Sequence, residues 1–239
     1  MSLKGLSWVV CAGLLFFSGC AYVSPFIENI NIIPVDQEKA IGAKLSKDVE
    51  RQLVVAQTDS LARVQSIGQR LVSVLPRKDF DYRFSVVEDK TLNAFTIPGG
   101  AIYVHTGLLA AVNDNELAGV LGHELGHAYE RHPTKSLTRA YGMSYLADML
   151  LKGNASKRRA LALQIATQGI LTKYSRTDEL EADAVGLELV KKAGFAPAGL
   201  ISFLRKIGQL ESKSPGLTFL RSHPPTPERI RRLEAAIRA

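Results

Sequence analysis

Cysteine is nearly absent from this 239-residue chain: there are two, Cys11 and Cys20, and both fall within the first twenty residues. Beyond Cys20 no pair exists to form a disulfide, so stability has to come from packing and from any bound metal. Long apolar runs are lacking too. Trp8 to Phe17 is apolar, but ten residues are too few to cross a bilayer as a helix. There is no internal repeat, no low-complexity segment and no recognisable nucleic-acid motif, which argues against a nucleic-acid partner despite a formal charge of +7. The basic residues are scattered, apart from a short run at Lys157, Arg158 and Arg159.

What is present at the N-terminus reads as an export signal over residues 1–19: Lys4 gives a positive start, Trp8 to Phe17 the apolar stretch, and Ser18 and Gly19 lead into Cys20. The small residues before a cysteine resemble a bacterial lipobox, so cleavage is expected to leave Cys20 as a lipidated first residue. Residues 20–34 then read as a linker. Removing Lys4 lowers the charge to +6, and the 46% hydrophobic, 22% charged composition suits one globular domain over 35–239.

The periodicity predicts two helices, one from Asp36 to about Leu53 and one starting at Asp59 or Ser60 with Leu61, Val64, Ile67, Leu71 and Leu75 at helical spacing. Three short stretches rich in branched and aromatic residues follow, Tyr82 to Val87, Thr91 to Ile97 and Ala101 to His105, punctuated by Pro98, Gly99 and Gly100. From Thr106 onward the pattern is helical, with breaks expected near His132/Pro133, Gly153/Asn154, Gly194/Pro197 and Lys213 to Pro227. The fold class expected is α+β, mainly α, with a small sheet of about three strands.

Asn115 to Arg131 reads as a helix whose apolar stripe, Leu117, Val120, Leu121 and Leu125, surrounds His123, Glu124, Leu125, Gly126 and His127. A four-residue step turns an α-helix through about 400°, so both imidazoles leave one face about a turn apart and can grip one metal ion. Glu124, one residue on from the first histidine, is placed to take a proton from an attacking water. A catalytic zinc takes three protein ligands, and Glu179 in the segment Ser175 to Asp183 supplies a candidate third. Asp183 shares its face four residues on, suited to orienting a histidine, while Glu181 points about 200° away and is expected to be solvated. His105 and His132 read as structural or surface residues.

These motifs together resemble metallopeptidase family forty-eight, the gluzincins related to HtpX, the CAAX prenyl endopeptidase and the mitochondrial Oma proteases, and within it the small periplasmic lipoprotein branch. The matching residues are Asn93, Ala94, Phe95, Pro98 to Gly100, Gly107 to Leu109, His123 to His127 with Arg131 and His132, then Ser175, Arg176, Glu179, Ala182, Asp183 and Gly186.

The resemblance implies a zincin-like metalloprotease domain with the sheet beside the metal helix and one zinc per chain. It implies His123, His127 and Glu179, not Glu181, as ligands, Glu124 as catalytic base and an active role for Asp183. His223, before Pro224 and Pro225, matches a histidine-proline pair of similar members and is expected either to stabilise the oxyanion or to occupy zinc's open position. An exposed edge strand carrying Asn93, Ala94 and Phe95 is expected to hold extended peptide.

Misfolded or unfolded envelope proteins are the substrates implied, with a lipid anchor at Cys20 on the periplasmic side of a Gram-negative outer membrane, Ala21 carrying no inner-membrane aspartate signal. Outer-membrane assembly machinery is an implied partner, and a chaperone or assembly factor with little cleavage is the alternative function. Some members of the branch carry a tandem helical-repeat domain after the core; this sequence stops at Ala239, so roles that need those repeats are not expected of it.

Overall fold

The computed structural model describes residues 31, 33–56, 59–150, 153–168, 173–213 and 217–238. The export signal, Cys20 and most of the linker lie outside the described residues. The chain opens with α1 (Val35–Glu50) and α2 (Asp59–Ser73) and continues through β1 (Arg83–Val87), β2 (Ala94–Ile97) and β3 (Ala101–His105). Then follow α3 (Thr106–Ala111), α4 (Asp114–Tyr129), α5 (His132–Leu150), α6 (Ala155–Gln168), α7 (Arg176–Lys192), α8 (Gly199–Lys213), α9 (Thr218–Ser222) and α10 (Pro227–Arg238). The expected order of two helices, a small sheet and a helical body is what the chain adopts.

The sheet runs β1-β3-β2, with β1 parallel and β2 antiparallel to the central β3. Its residues face two cores. Val86, Ala94, Ile102 and Val104 join α2, α4, α7 and α8. Val87, Phe95, Ile97, Ala101 and Tyr103 join Ile41, Leu45 and Val49 of α1, Leu137, and Leu161, Ala162 and Ile165 of α6. Apolar residues at both parities are the signature of a strand covered on both faces, and all four residues of β2 are buried. The strand is at the sheet edge as expected, but Asn93, Ala94 and Phe95 are buried, not exposed.

Helix α4 is the axis of the larger core. It starts on a capping box in which Asn113 Oδ1 accepts the amides of Asn115 and Glu116, both at 3.0 Å, and Glu116 Oε2 accepts the Asn113 amide at 3.1 Å. Every residue from Glu116 to Ala128 is buried, so the metal motif sits inside the molecule. Its partner α7 has its own box, Ser175 with Asp178. The two helices meet through Gly122, Gly126, Ala182 and Gly186. A Cβ on Gly186 would stand 2.7 Å from the Gly122 carbonyl carbon and 2.8 Å from the His123 nitrogen, and one on Gly126 2.6 Å from the Ala182 oxygen. This close glycine and alanine contact brings Glu179 and Asp183 up to His123 and His127. None of the described helices is long and apolar enough to cross a membrane.

Candidate active site

His123, His127, Glu179 and His223 each offer one ligand atom, and these atoms all lie within 4.8 Å of one another. All four side chains are buried. His123 Nε2 is 3.1 Å from His127 Nε2 and 3.5 Å from Glu179 Oε2, and His127 Nε2 is 3.3 Å from Glu179 Oε1. The helical spacing and the shared face of the acidic segment thus converge as read from the sequence. His223 joins them: its Nδ1 lies 3.2 Å from His123 Nε2 and 3.0 Å from Glu179 Oε1, and its ring stacks on Phe219.

Behind this group stands a layer the sequence revealed only in part. Asp183 Oδ1 is 2.9 Å from His123 Nδ1, as its position predicted. Arg229, in α10, closes the other side: its Nε and Nη2 donate to Asp183 Oδ2 and Oδ1, both at 2.7 Å, and Nη1 reaches Glu179 Oε2 at 2.5 Å. Tyr174 stacks on His127, ring centroids 3.9 Å apart. Neither Arg229 nor Tyr174 was singled out in the sequence. A detectable signal existed for Arg229, since a charged residue stands four before the buried Leu233 on the apolar side of α10.

His132 is fully buried and not a surface residue; its Nδ1 faces His127 Nδ1 at 2.9 Å. Glu181, expected to be solvated, keeps 46% of its side chain exposed yet reaches His132 Nε2 at 3.0 Å. His105 is structural, as expected, with its Nδ1 2.7 Å from Thr91 Oγ1.

Glu124 is also fully buried. Thr96 of β2 donates to its Oε2 at 2.8 Å, while Oε1 has no hydrogen-bond partner among the described residues and stands 3.4 Å from His223 Nε2. Thr96 carried no signal in the sequence, because a threonine in a strand is ordinary.

Burial and the neighbouring charges shift the buried groups in opposite directions. Burial pushes the Glu124 pKa up, in spite of His223 and His123. Burial acts the same way on Glu179, but His223 beside it and hydrogen bonds from His127 and His223 hold it well below the usual carboxylate range. Burial lowers His127 well below an ordinary histidine, with the nearby His123 adding to the effect. His223 goes the other way: Glu179 and Glu124 outweigh burial and raise it. Asp183 Oδ1 stands 2.9 Å from His123 Nδ1 on the outer side of the ring, which leaves Nε2 turned towards another imidazole nitrogen and a carboxylate. A donor set of this kind, two imidazoles and one carboxylate, fits zinc.

Two imidazoles one helical turn apart, a carboxylate from a second helix and a buried, half-satisfied glutamate beside them define a metal-dependent peptidase. The chain belongs to Peptidase family M48, which it matches over residues 59–237, and peptidases of that family use zinc. It is 32% identical to metalloprotease YcaL of Escherichia coli over 73% of this chain and 69% of that one. It is 27% identical to the mitochondrial metalloendopeptidase OMA1 of Schizosaccharomyces pombe, over 97% of this chain and 72% of that one. A beta-barrel assembly-enhancing protease of Yersinia pestis shares 28% identity over 80% of this chain, but only 42% of its own length is covered.

Proposed function

We propose that this zinc peptidase cleaves peptide bonds within unfolded or misfolded cell-envelope proteins by attack of water, with Glu124 as the general base. The observation that carries this reading is the placement of Glu124. Thr96 fixes one carboxylate oxygen, and the other is left without a hydrogen bond, facing the cluster formed by His123, His127 and Glu179.

In this reading His123 and His127, each through Nε2, and Glu179 hold the zinc. When bound, it supplies Lewis acidity that makes water a nucleophile at neutral pH and polarises the scissile carbonyl. Glu124 Oε1 takes the proton of the attacking water as the carbon–oxygen bond forms, and delivers it to the amine nitrogen as the carbon–nitrogen bond breaks. Its burial-raised pKa suits the second half, because a protonated carboxyl is then less costly to hold. Asp183 acts by orienting His123: both its oxygens are already engaged, by Arg229 and by the His123 ring. Removing zinc from the full chain with a chelator is expected to stop casein cleavage, and added zinc to restore it. Cleavage that persists in zinc-free protein contradicts the proposal.

A second reading concerns His223, which occupies the side of the metal cluster where a fourth ligand or a substrate carbonyl would stand. We read it as a block that keeps the enzyme closed. With α1, α4 and α5 packed on β2, Asn93, Ala94 and Phe95 would meet an extended substrate through main-chain groups of the sheet edge and not through their buried side chains. His223→Ala is therefore expected to retain zinc and cleave casein several-fold faster than the parent. Slower cleavage with zinc retained would assign His223 to the oxyanion instead.

Lipidation at Cys20, residence on the periplasmic side of an outer membrane and work alongside outer-membrane assembly machinery complete the proposal. The lipobox-like sequence and the name of the beta-barrel assembly-enhancing relatives support it.

A further inference from the structure

We infer that His132 is a positioning residue for the metal site, fixing the tautomer of His127 through a hydrogen-bond chain that ends on Glu181. The inference rests on His127 being a zinc ligand, and the chain's own geometry supplies the rest. For His127 Nε2 to offer a lone pair, the ring's single proton must sit on Nδ1, and something buried must accept it. The group at that position is His132 Nδ1, 2.9 Å away. Either ring could in principle donate. The direction is set at the far side of His132, where Nε2 lies 3.0 Å from Glu181 Oε2 and 3.7 Å from Asp178 Oδ1. Ionised carboxylates only accept, so His132 carries its proton on Nε2 and presents a lone pair at Nδ1. With a metal in place of a proton on Nε2, which lies 3.1 Å from His123 Nε2 and 3.3 Å from Glu179 Oε1, His127 Nδ1 is the donor; in the metal-free chain Glu179 competes for that proton.

The backbone is built for this contact. Five residues along one continuous helix turn through about 500°, which would put His132 on a different face from His127. The chain does not continue: α4 ends at Tyr129, and Arg131 takes a left-handed φ of 60°, uncommon for a residue with a side chain. Glu38 of α1, buried, accepts from Arg131 Nε at 2.7 Å, and the Ile33 carbonyl accepts from its Nη2. This bend returns His132 to His127, with ring centroids 5.0 Å apart. On the acceptor side, Asp178 is held by the Ser175 amide at 2.9 Å and by Arg139. His123 thus leans on a carboxylate directly, and His127 leans on one through a second imidazole.

Two measurements on the purified full chain test this. Nitrogen NMR of the imidazoles in the zinc-loaded parent should show His127 protonated at Nδ1 and His132 at Nε2; His132 protonated at Nδ1 overturns the inference. Zinc competition against a chelator should show His132→Leu binding 10–100-fold more weakly than the parent, the usual loss when such a partner is removed. His132→Asn, whose amide oxygen can accept from His127, should recover most of that affinity while the zinc-free melting temperatures of both variants stay together. Equal affinity in parent and His132→Leu overturns the inference. Should the leucine variant not fold, the parent's tautomers still decide, and a parent that takes up no zinc overturns the ligand reading on which the inference rests.

Discussion

Glu124→Gln is expected to lower casein cleavage by a factor of about 100 or more while leaving one zinc per chain, because a positioned general base contributes roughly 10²–10⁴ to such a step. The amide has the volume of the carboxyl, and its oxygen can still accept from Thr96, so the geometry is kept. What is lost is the basic oxygen. Folding should not suffer: Glu124 is buried with its pKa raised, which means that the native state disfavours the ionised form at neutral pH. A neutral isostere removes that cost, and the melting temperature should hold or rise. The same variant separates enzyme from chaperone. A binding protein or assembly factor that works through this cleft would keep its hold on unfolded protein, with no cleavage to lose in either form. Undiminished cleavage in Glu124→Gln contradicts the mechanism.

Arg229→Leu is expected to destabilise the zinc-free protein by about 3–5 kcal/mol, the range found when one partner of a buried ion pair is removed. The guanidinium makes a two-pronged contact with Asp183, touches Glu179 and donates to the Pro224 carbonyl at 3.2 Å. Leucine fills much of the space but leaves two carboxylates buried with no cation behind them. For a chain of this size the loss corresponds to a fall in melting temperature of about 6–20 °C. Arg229→Lys should fall between, since an ammonium keeps the charge but cannot match both oxygens of Asp183 in one plane. Because Arg229 also ties the His223 loop to α7, its loss should loosen the closed site as well as the fold. A change in stability below about 1 kcal/mol, read from urea unfolding, would show that the carboxylates find other partners.

Much of this architecture was legible in the sequence because it is written in local periods. His123 and His127, or Glu179 and Asp183, share a face whatever the rest of the chain does. Thr96 and Arg229 reach the site across long sequence separations, Thr96 meeting Glu124 from a strand and Arg229 meeting Asp183 from the last helix. His132, read as structural or surface, stands only five residues from His127 and meets it where Arg131 bends the chain.

Glu181 shows the limit of a helical wheel. Its Cα direction is away from the zinc face, as a two-residue step requires, yet a glutamate is long enough to meet His132 from there. The edge strand misled in a different way. Ala94, Phe95 and Ile97 lie at both parities, and so do Ala101 to Val104, a pattern that signals cover on both faces more than a free edge.

The central claim is that a zinc ion is held by two histidines of α4 and one carboxylate of α7, and zinc content tests it without depending on whether the enzyme is open or closed. The full chain and its Glu179→Ala variant would be loaded, freed of loosely bound metal by dialysis and assayed for zinc. The parent should retain one zinc per chain and the variant should retain less under the same dialysis, since His123 and His127 then have only the His223 imidazole in place of the carboxylate's charge. A parent that retains none, or a variant that retains as much as the parent, would contradict the account.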